Sequence, residues 1–232
     1  MIFADRDEAG RALADELAFR MPASGRPGRI LVLALPRGGV PVAVPVAGRL
    51  DADLDLVLAR KIGAPGQPEF GVGAIAEDGP PVFDGTALRY FDLTEDDLAD
   101  TVAAERAELD RRLRRYRADR PAPSVTGRTV VLVDDGLATG VTAHAALRWL
   151  AGHHPGQVIV AVPVCSRRAC DLMAGDADSV VCLHAPEDFT AVGRWYADFT
   201  QLSDADVDAA LEQHRGAELR SRKDAGRGVA AR

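Results

Sequence analysis

The chain has 232 residues, 47% of them apolar, enough to bury one large core or two small ones. Its 28 basic and 35 acidic residues leave a net charge of −7, which excludes a protein whose whole surface coats nucleic acid or an anionic membrane. No apolar run reaches the length of a membrane span, and "MIFADRDEAGRALADELAFR" has neither the basic start nor the apolar core of a secretory signal, so a cytoplasmic protein with no membrane partner is expected.

Residues 5–20 read as an amphipathic helix, with Asp5 as cap, Glu8 three positions on, and Ala9, Leu13 and Leu17 sharing a face. "RILVLALP" (29–36) is a continuous apolar run of the kind buried on both sides in a parallel sheet, and similar runs recur at 54–60, 129–135, 157–164 and 179–185. Pro41 suits the first turn of the helix that follows the first run, whereas Pro45 should kink or shorten it. Helical patterns at 140–151 and 167–174 separate later runs. Strands alternating with helices predict an α/β fold, an open and mostly parallel sheet with helices on both faces.

Residues 94–117 break that rhythm as a long charged helix, capped by Thr94, with an apolar stripe at Leu98, Val102, Leu109, Leu113 and Tyr116. The arginines at its end (111–120) lie among Glu105, Glu108 and Asp110, so nucleic acid is not an expected partner. No linker appears within 1–214, read as one domain, and 215–232 is basic and poor in large apolar groups, a tail. Cys165, Cys170 and Cys182 form no C-x-x-C pair and are expected to be plain buried thiols.

The chemistry concentrates at "TVVLVDDGLATGVTA" (129–143). In an open parallel sheet, ligands sit beyond the carboxyl ends of the strands, where Asp134 and Asp135 fall. Behind them, small residues let backbone N–H groups approach an anion, a helix begins near Gly140, and Thr139 and Thr142 add hydroxyls. Two acids followed by a phosphate cradle suit a ligand with hydroxyls at one end and a phosphate at the other.

The thirteen residues 130–142, "VVLVDDGLATGVT", resemble the signature of the type I phosphoribosyltransferases, which bind 5-phosphoribosyl-1-pyrophosphate (PRPP). The resemblance implies that Asp134 and Asp135 contact the ribose hydroxyls and that Gly136, Ala138, Thr139, Gly140, Val141 and Thr142 bind the 5′-phosphate. "LPRGG" resembles the family's pyrophosphate loop, implying roles for Pro36, Arg37, Gly38 and Gly39, and "ARKIGAPGQPEFGVGA" (59–74) resembles its basic strand end and lid. Arg60 and Lys61 would then face the pyrophosphate; Lys61 and Lys223 are the chain's two lysines.

The type I fold is thus implied, with a lid at about 62–77 pivoting on Gly63, Gly66, Gly71 and Gly73, the inserted helix 94–117, and a hood at about 184–201 where Phe189, Trp195 and Tyr196 stack on the base. Phe199 is left to the core. The implied reaction transfers the phosphoribosyl group to a nucleobase or similar nitrogen acceptor and releases pyrophosphate. Mg²⁺ is the implied cofactor, held mainly through PRPP with Asp134 and Asp135 nearby, and Glu69 would be a general acid or base. Family members acting on 6-oxopurines carry an acid where this chain has Ala138, and "DDGLATG" is closer in form to adenine-type members, so the acceptor stays unassigned. A homodimer is one assembly to expect. The competing reading is a regulatory protein that senses PRPP, keeps the fold and binds RNA or DNA instead of turning over.

Overall fold

The computed structural model describes residues 2–21, 30–117, 121–214 and 216, so all of the basic stretch 215–232 except Gly216 lies outside the described residues. Helix α1 (Arg6–Arg20) starts where the sequence predicts: the Asp5 carboxylate accepts the Glu8 N–H at 2.8 Å, while the Glu8 carboxylate accepts the Ala4 N–H. Its predicted face, Ala9, Leu13 and Leu17, is fully buried. Strand β1 (Ile30–Ala34) leads into α2 (Gly39–Leu50) and β2 (Asp53–Leu56).

Pro45 does not shorten α2, contrary to expectation, because tertiary packing compensates for the lost helix bond. A Cβ added to Gly10 would lie 2.5 Å from Pro45 Cγ and 2.6 Å from the Val42 carbonyl oxygen. The bare glycine therefore lets α1 close onto α2 and bury Val42, Ala43 and Val46.

The segment read as a lid departs most from the sequence reading. Residues 62–77 belong mostly to a β-hairpin, β3 (Ala59–Ala64) and β4 (Gln67–Ala76), extended by β5 (Val82–Phe83) into a separate three-stranded antiparallel sheet. Two of the expected pivots are packing glycines. A Cβ on Gly63 would meet the Pro68 backbone at 2.6 Å, and one on Gly73 the Val82 carbonyl oxygen at 2.6 Å. Gly66 alone among the four has a positive φ, +74°, at the hairpin turn.

Next come a short α3 (Gly85–Phe91) and, after a 3₁₀ turn at Asp96–Leu98, the long α4 (Ala99–Arg117). Leu98, Leu109 and Tyr116 of the predicted stripe are buried, and Val102 and Leu113 pack against them. The chain then returns to the main sheet through β6 (Thr129–Val133), α5 (Val141–Ala151), β7 (Gln157–Val164), α6 (Arg167–Ala174) and β8 (Ser179–His184).

The main sheet has five parallel strands in the order β2-β1-β6-β7-β8. Alternate residues of its central strands feed two cores. Val32, Ala34, Val131 and Val133 join α1 and α2 on one face, while Leu31, Leu33, Val130 and Leu132 join α5 on the other. No helix among the described residues is long and apolar enough to cross a membrane.

The cysteines also differ from expectation. Cys165 and Cys170 are joined as a disulfide with Cα atoms 6.1 Å apart, and Cys182 is free. Their spacing gives no sequence signal, because the turn from β7 into α6 is what brings the pair together.

Candidate functional site

Three chain segments converge beyond the carboxyl ends of β1, β6 and β7. The loop 35–39 is fixed by backbone bonds: the Leu35 N–H donates to the Val133 carbonyl at 2.9 Å and the Gly39 N–H to the Leu35 carbonyl at 3.0 Å. The Pro36–Arg37 peptide is cis. A Cβ on Gly38 would fall 2.0 Å from Asp135 Oδ2, and one on Gly39 would fall 2.6 Å from the Val133 carbonyl oxygen. Only glycine at both positions lets the "PRGG" turn lie against the acid pair.

The loop after β6 is held as firmly. Leu137 pairs with the chain just after β7: its N–H donates to the Val164 carbonyl at 3.0 Å and its carbonyl accepts the Ser166 N–H at 2.8 Å. The Ser166 hydroxyl donates to the Ala138 carbonyl at 2.6 Å and also caps α6. Gly140, at φ +75°, ends the loop as the N-cap of α5, whose first N–H groups have no helical partner. Ala138 and Thr139 stand exposed at the tip, above buried Gly136 and Leu137.

Asp134 and Asp135 lie side by side at the end of β6, the Asp135 N–H donating to Asp134 Oδ1 at 2.8 Å. Arg6, which the sequence reading overlooked, donates through Nε to Asp135 Oδ2 at 2.8 Å. Its guanidinium lies 3.9 Å from the Phe199 ring centroid and reaches the Thr200 carbonyl at 3.0 Å. Burial, and then the neighbouring Asp135 charge, push the Asp134 carboxyl well above the usual aspartate range. Asp135 is also raised by burial, although Arg6 pulls it back. No local pattern marks Arg6, which simply opens α1 and meets an acid 129 positions away.

The aromatic residues expected to stack on the base have protein contacts of their own. Tyr196 is 5% exposed, sits against Phe3, and donates its hydroxyl to the Asp135 carbonyl at 2.6 Å. It buttresses the acid pair from beneath and presents no face for stacking. Trp195 meets His184 edge-on at 4.7 Å, and Phe189 packs against the Phe3–Tyr196 cluster. Phe199, assigned to the core from sequence, is instead partly exposed under Arg6.

Arg37 leaves the "PRGG" turn toward Asp204, its Nη1 3.7 Å from Oδ1, in a helix over 204–214. Asp204 also accepts the Tyr116 hydroxyl at 2.6 Å, which chiefly holds its carboxyl below the usual range. Arg60, Lys61 and Glu69 have other contacts. Arg60 donates to Glu105 of α4 at 2.6 Å, and Lys61 Nζ donates to the Glu69 carbonyl at 2.8 Å. These three residues line a hollow of about 470 Å³ with Pro65, Thr101 and Glu105. The Glu69 side chain stands fully in solvent.

Residues 7–199 match the family described as phosphoribosyl transferase domain. Proteins of two Mycobacterium tuberculosis strains, provisionally named phosphoribosyl transferases, are 46% identical over 218 residues, 92% of this chain. The chain spans about half, 47%, of the length of these relatives. The crystal structure of TT1426 from Thermus thermophilus superposes with a TM-score of 0.74 at 47% identity, covering 91% of this chain and 98% of that one. The AQ2163 protein of Aquifex aeolicus, at 12% identity and a TM-score of 0.52 over 89% of this chain and 84% of its own, shares the fold alone.

Proposed function

Because the chain belongs to the phosphoribosyl transferase domain family, we propose that it moves the 5-phosphoribosyl group of PRPP to a nitrogen acceptor, with release of pyrophosphate and with Mg²⁺ as cofactor. One observation carries this reading. Paired acids, a loop tied to β7 and a glycine turn that only bare backbone can form meet at one end of a parallel sheet.

In this reading the loop from Gly136 to Thr142 holds the 5′-phosphate through N–H groups at the start of α5, and Asp134 and Asp135 accept hydrogen bonds from the ribose hydroxyls. The turn Pro36–Gly39 offers backbone to the pyrophosphate, with Arg37 swinging from Asp204 to meet it. The displacement breaks the bond from C1 to the pyrophosphate oxygen and forms one to the acceptor nitrogen. This asks the protein mainly for placement and for relief of departing charge. Arg6 and Tyr196 act through Asp135, fixing its side chain and its carbonyl.

Mg²⁺ fits the donor set: two adjacent carboxylates, with Arg6 paired to Asp135, offer the oxygen ligands that a hard divalent ion takes. When bound, it would neutralise pyrophosphate charge, with Asp134 and Asp135 as its nearest protein carboxylates. The test is a thermal-shift titration with PRPP, with and without Mg²⁺, on wild type and on Asp134→Asn/Asp135→Asn. A rise in melting temperature that the double change abolishes is expected, and no rise in wild type overturns the proposal. Pyrophosphate release across a panel of bases then separates an enzyme from a PRPP sensor, since a sensor stays silent on every base.

A further inference from the structure

The three cysteines occupy one place in the fold. Cys165 is fully buried just past β7, Cys170 lies in the first turn of α6, and Cys182 sits on β8, in register with Val162 of β7. All three Sγ atoms lie within 4.8 Å of one another. That is the spacing of sulfurs gathered around a single thiophilic ion, where metal–sulfur bonds run to about 2.3 Å. Among the described residues no other side chain joins the cluster, so a solvent molecule would complete a four-coordinate ion.

The supporting backbone is rigid. The Cys165 N–H donates to the His184 carbonyl at 3.1 Å, and the Cys170 N–H donates to the Ser166 carbonyl at 3.0 Å. Cysteines at plain core positions carry no such requirement to converge from a loop, a helix and a strand.

We propose that Cys165, Cys170 and Cys182 form a thiolate site for a thiophilic d¹⁰ cation, zinc or copper(I), open in the reduced protein and closed when Cys165 and Cys170 are oxidised to their disulfide. Opening takes two electrons and two protons from an external dithiol, which closes to its own disulfide as the Cys165–Cys170 bond breaks. Binding then releases the three thiol protons to solvent. The site lies behind the phosphate loop: Cys165 pairs with Leu137, Ser166 holds the Ala138 carbonyl, and a Cβ on Gly140 would meet Ala169 of α6 at 3.3 Å. A bound ion would brace that loop without touching PRPP.

The experiment is native mass spectrometry of the whole chain under a non-thiol reductant, with Zn²⁺ in one arm and Cu(I) in another, each competed by a chelator. One ion per chain is expected in the reduced protein, absent after oxidation with diamide and lost in Cys182→Ser. The Cys182→Ser variant keeps the Cys165–Cys170 pair, so circular dichroism and the PRPP thermal shift confirm that it folds. Uptake by neither ion in the reduced wild type, or equal uptake by the oxidised protein or by Cys182→Ser, overturns the proposal. The first of these outcomes would leave a disulfide and a bystander thiol.

Discussion

Around the acid pair, the loops close through absent side chains; the antiparallel sheet docks onto α4 through opposite charges. Gly38, Gly39 and Gly136 each face an atom closer than any Cβ tolerates, and backbone bonds from Leu35 and Leu137 close both loops. The second sheet instead hangs on α4. Arg117 grips Glu77 at 2.6 Å and the Leu56 carbonyl at 3.0 Å, Arg106 donates to the Glu77 and Gly79 carbonyls, and Arg60 pairs with Glu105. A site built from glycines tolerates almost no substitution but stays accessible to a ligand, whereas a module docked by ion pairs uses up its own arginines. The basic run at the end of α4 is therefore largely matched within the protein.

The sharpest way to break this contrast is at Glu77, 3% exposed beside a nearly buried Arg117. Glu77→Gln removes the counter-charge of that guanidinium and should destabilise the fold by about 3–5 kcal/mol, a melting temperature lower by roughly 10 °C. Glu77→Gln/Arg117→Met should recover most of it. The PRPP shift should survive below the new melting point; its loss would mean that the second sheet belongs to the ligand site.

Gly38→Ala is next. With 2.0 Å to Asp135 Oδ2, the new methyl must push either the turn or the acid aside, which should reduce stability by about 1–3 kcal/mol and abolish the PRPP-dependent shift. An unchanged shift would show that the turn and Asp135 need not touch.

A smaller effect with the opposite sign is expected at Asp134. Its folded-state value is raised above the ordinary 3.8, so between those two values the folded chain holds more protons than the unfolded one, and stability falls as pH rises. Asp134→Asn should therefore melt higher than wild type at neutral pH, with the gain vanishing below about pH 4, while losing PRPP. Melting curves over a pH series check it. Arg6→Ala should act the other way on Asp135, raising its carboxyl further and moving the acid limb of PRPP binding to higher pH.

Lys61→Ala should do least, within about 0.5 kcal/mol on stability. If it nevertheless removes the PRPP shift, the hairpin bends over the ligand, as the sequence resemblance implies.

The main sheet was legible because its strands are buried on both faces and read as unbroken apolar runs, with "VVLVDDGLATGVT" marking the rim. The antiparallel sheet was not. Gly63 and Gly73 read as flexibility, yet they are the points where strands approach too closely for a side chain. Arg6 and Ser166 escaped for a different reason: each meets the acids or the loop across a long sequence separation, and short-range periodicity carries no information about such partners. Where an aromatic was assigned to stacking, the decisive fact was its hydroxyl, which found the Asp135 carbonyl.

The pairing of residues 3–4 with 195–198, through Phe3 to Trp195 and Ala197 and through Ala4 to Asp198, has a bearing on synthesis. Arg6 reaches a carbonyl 194 positions downstream. On a ribosome the phosphate loop can fold well before the segment that secures the opening of α1 has been made. The aspartates thus spend the later part of translation without the guanidinium anchored beside them. A nascent chain that has emerged as far as residues 170 to 190 should present a loop already shaped by Val164 and Ser166 and a pair of acids still awaiting its counter-ion.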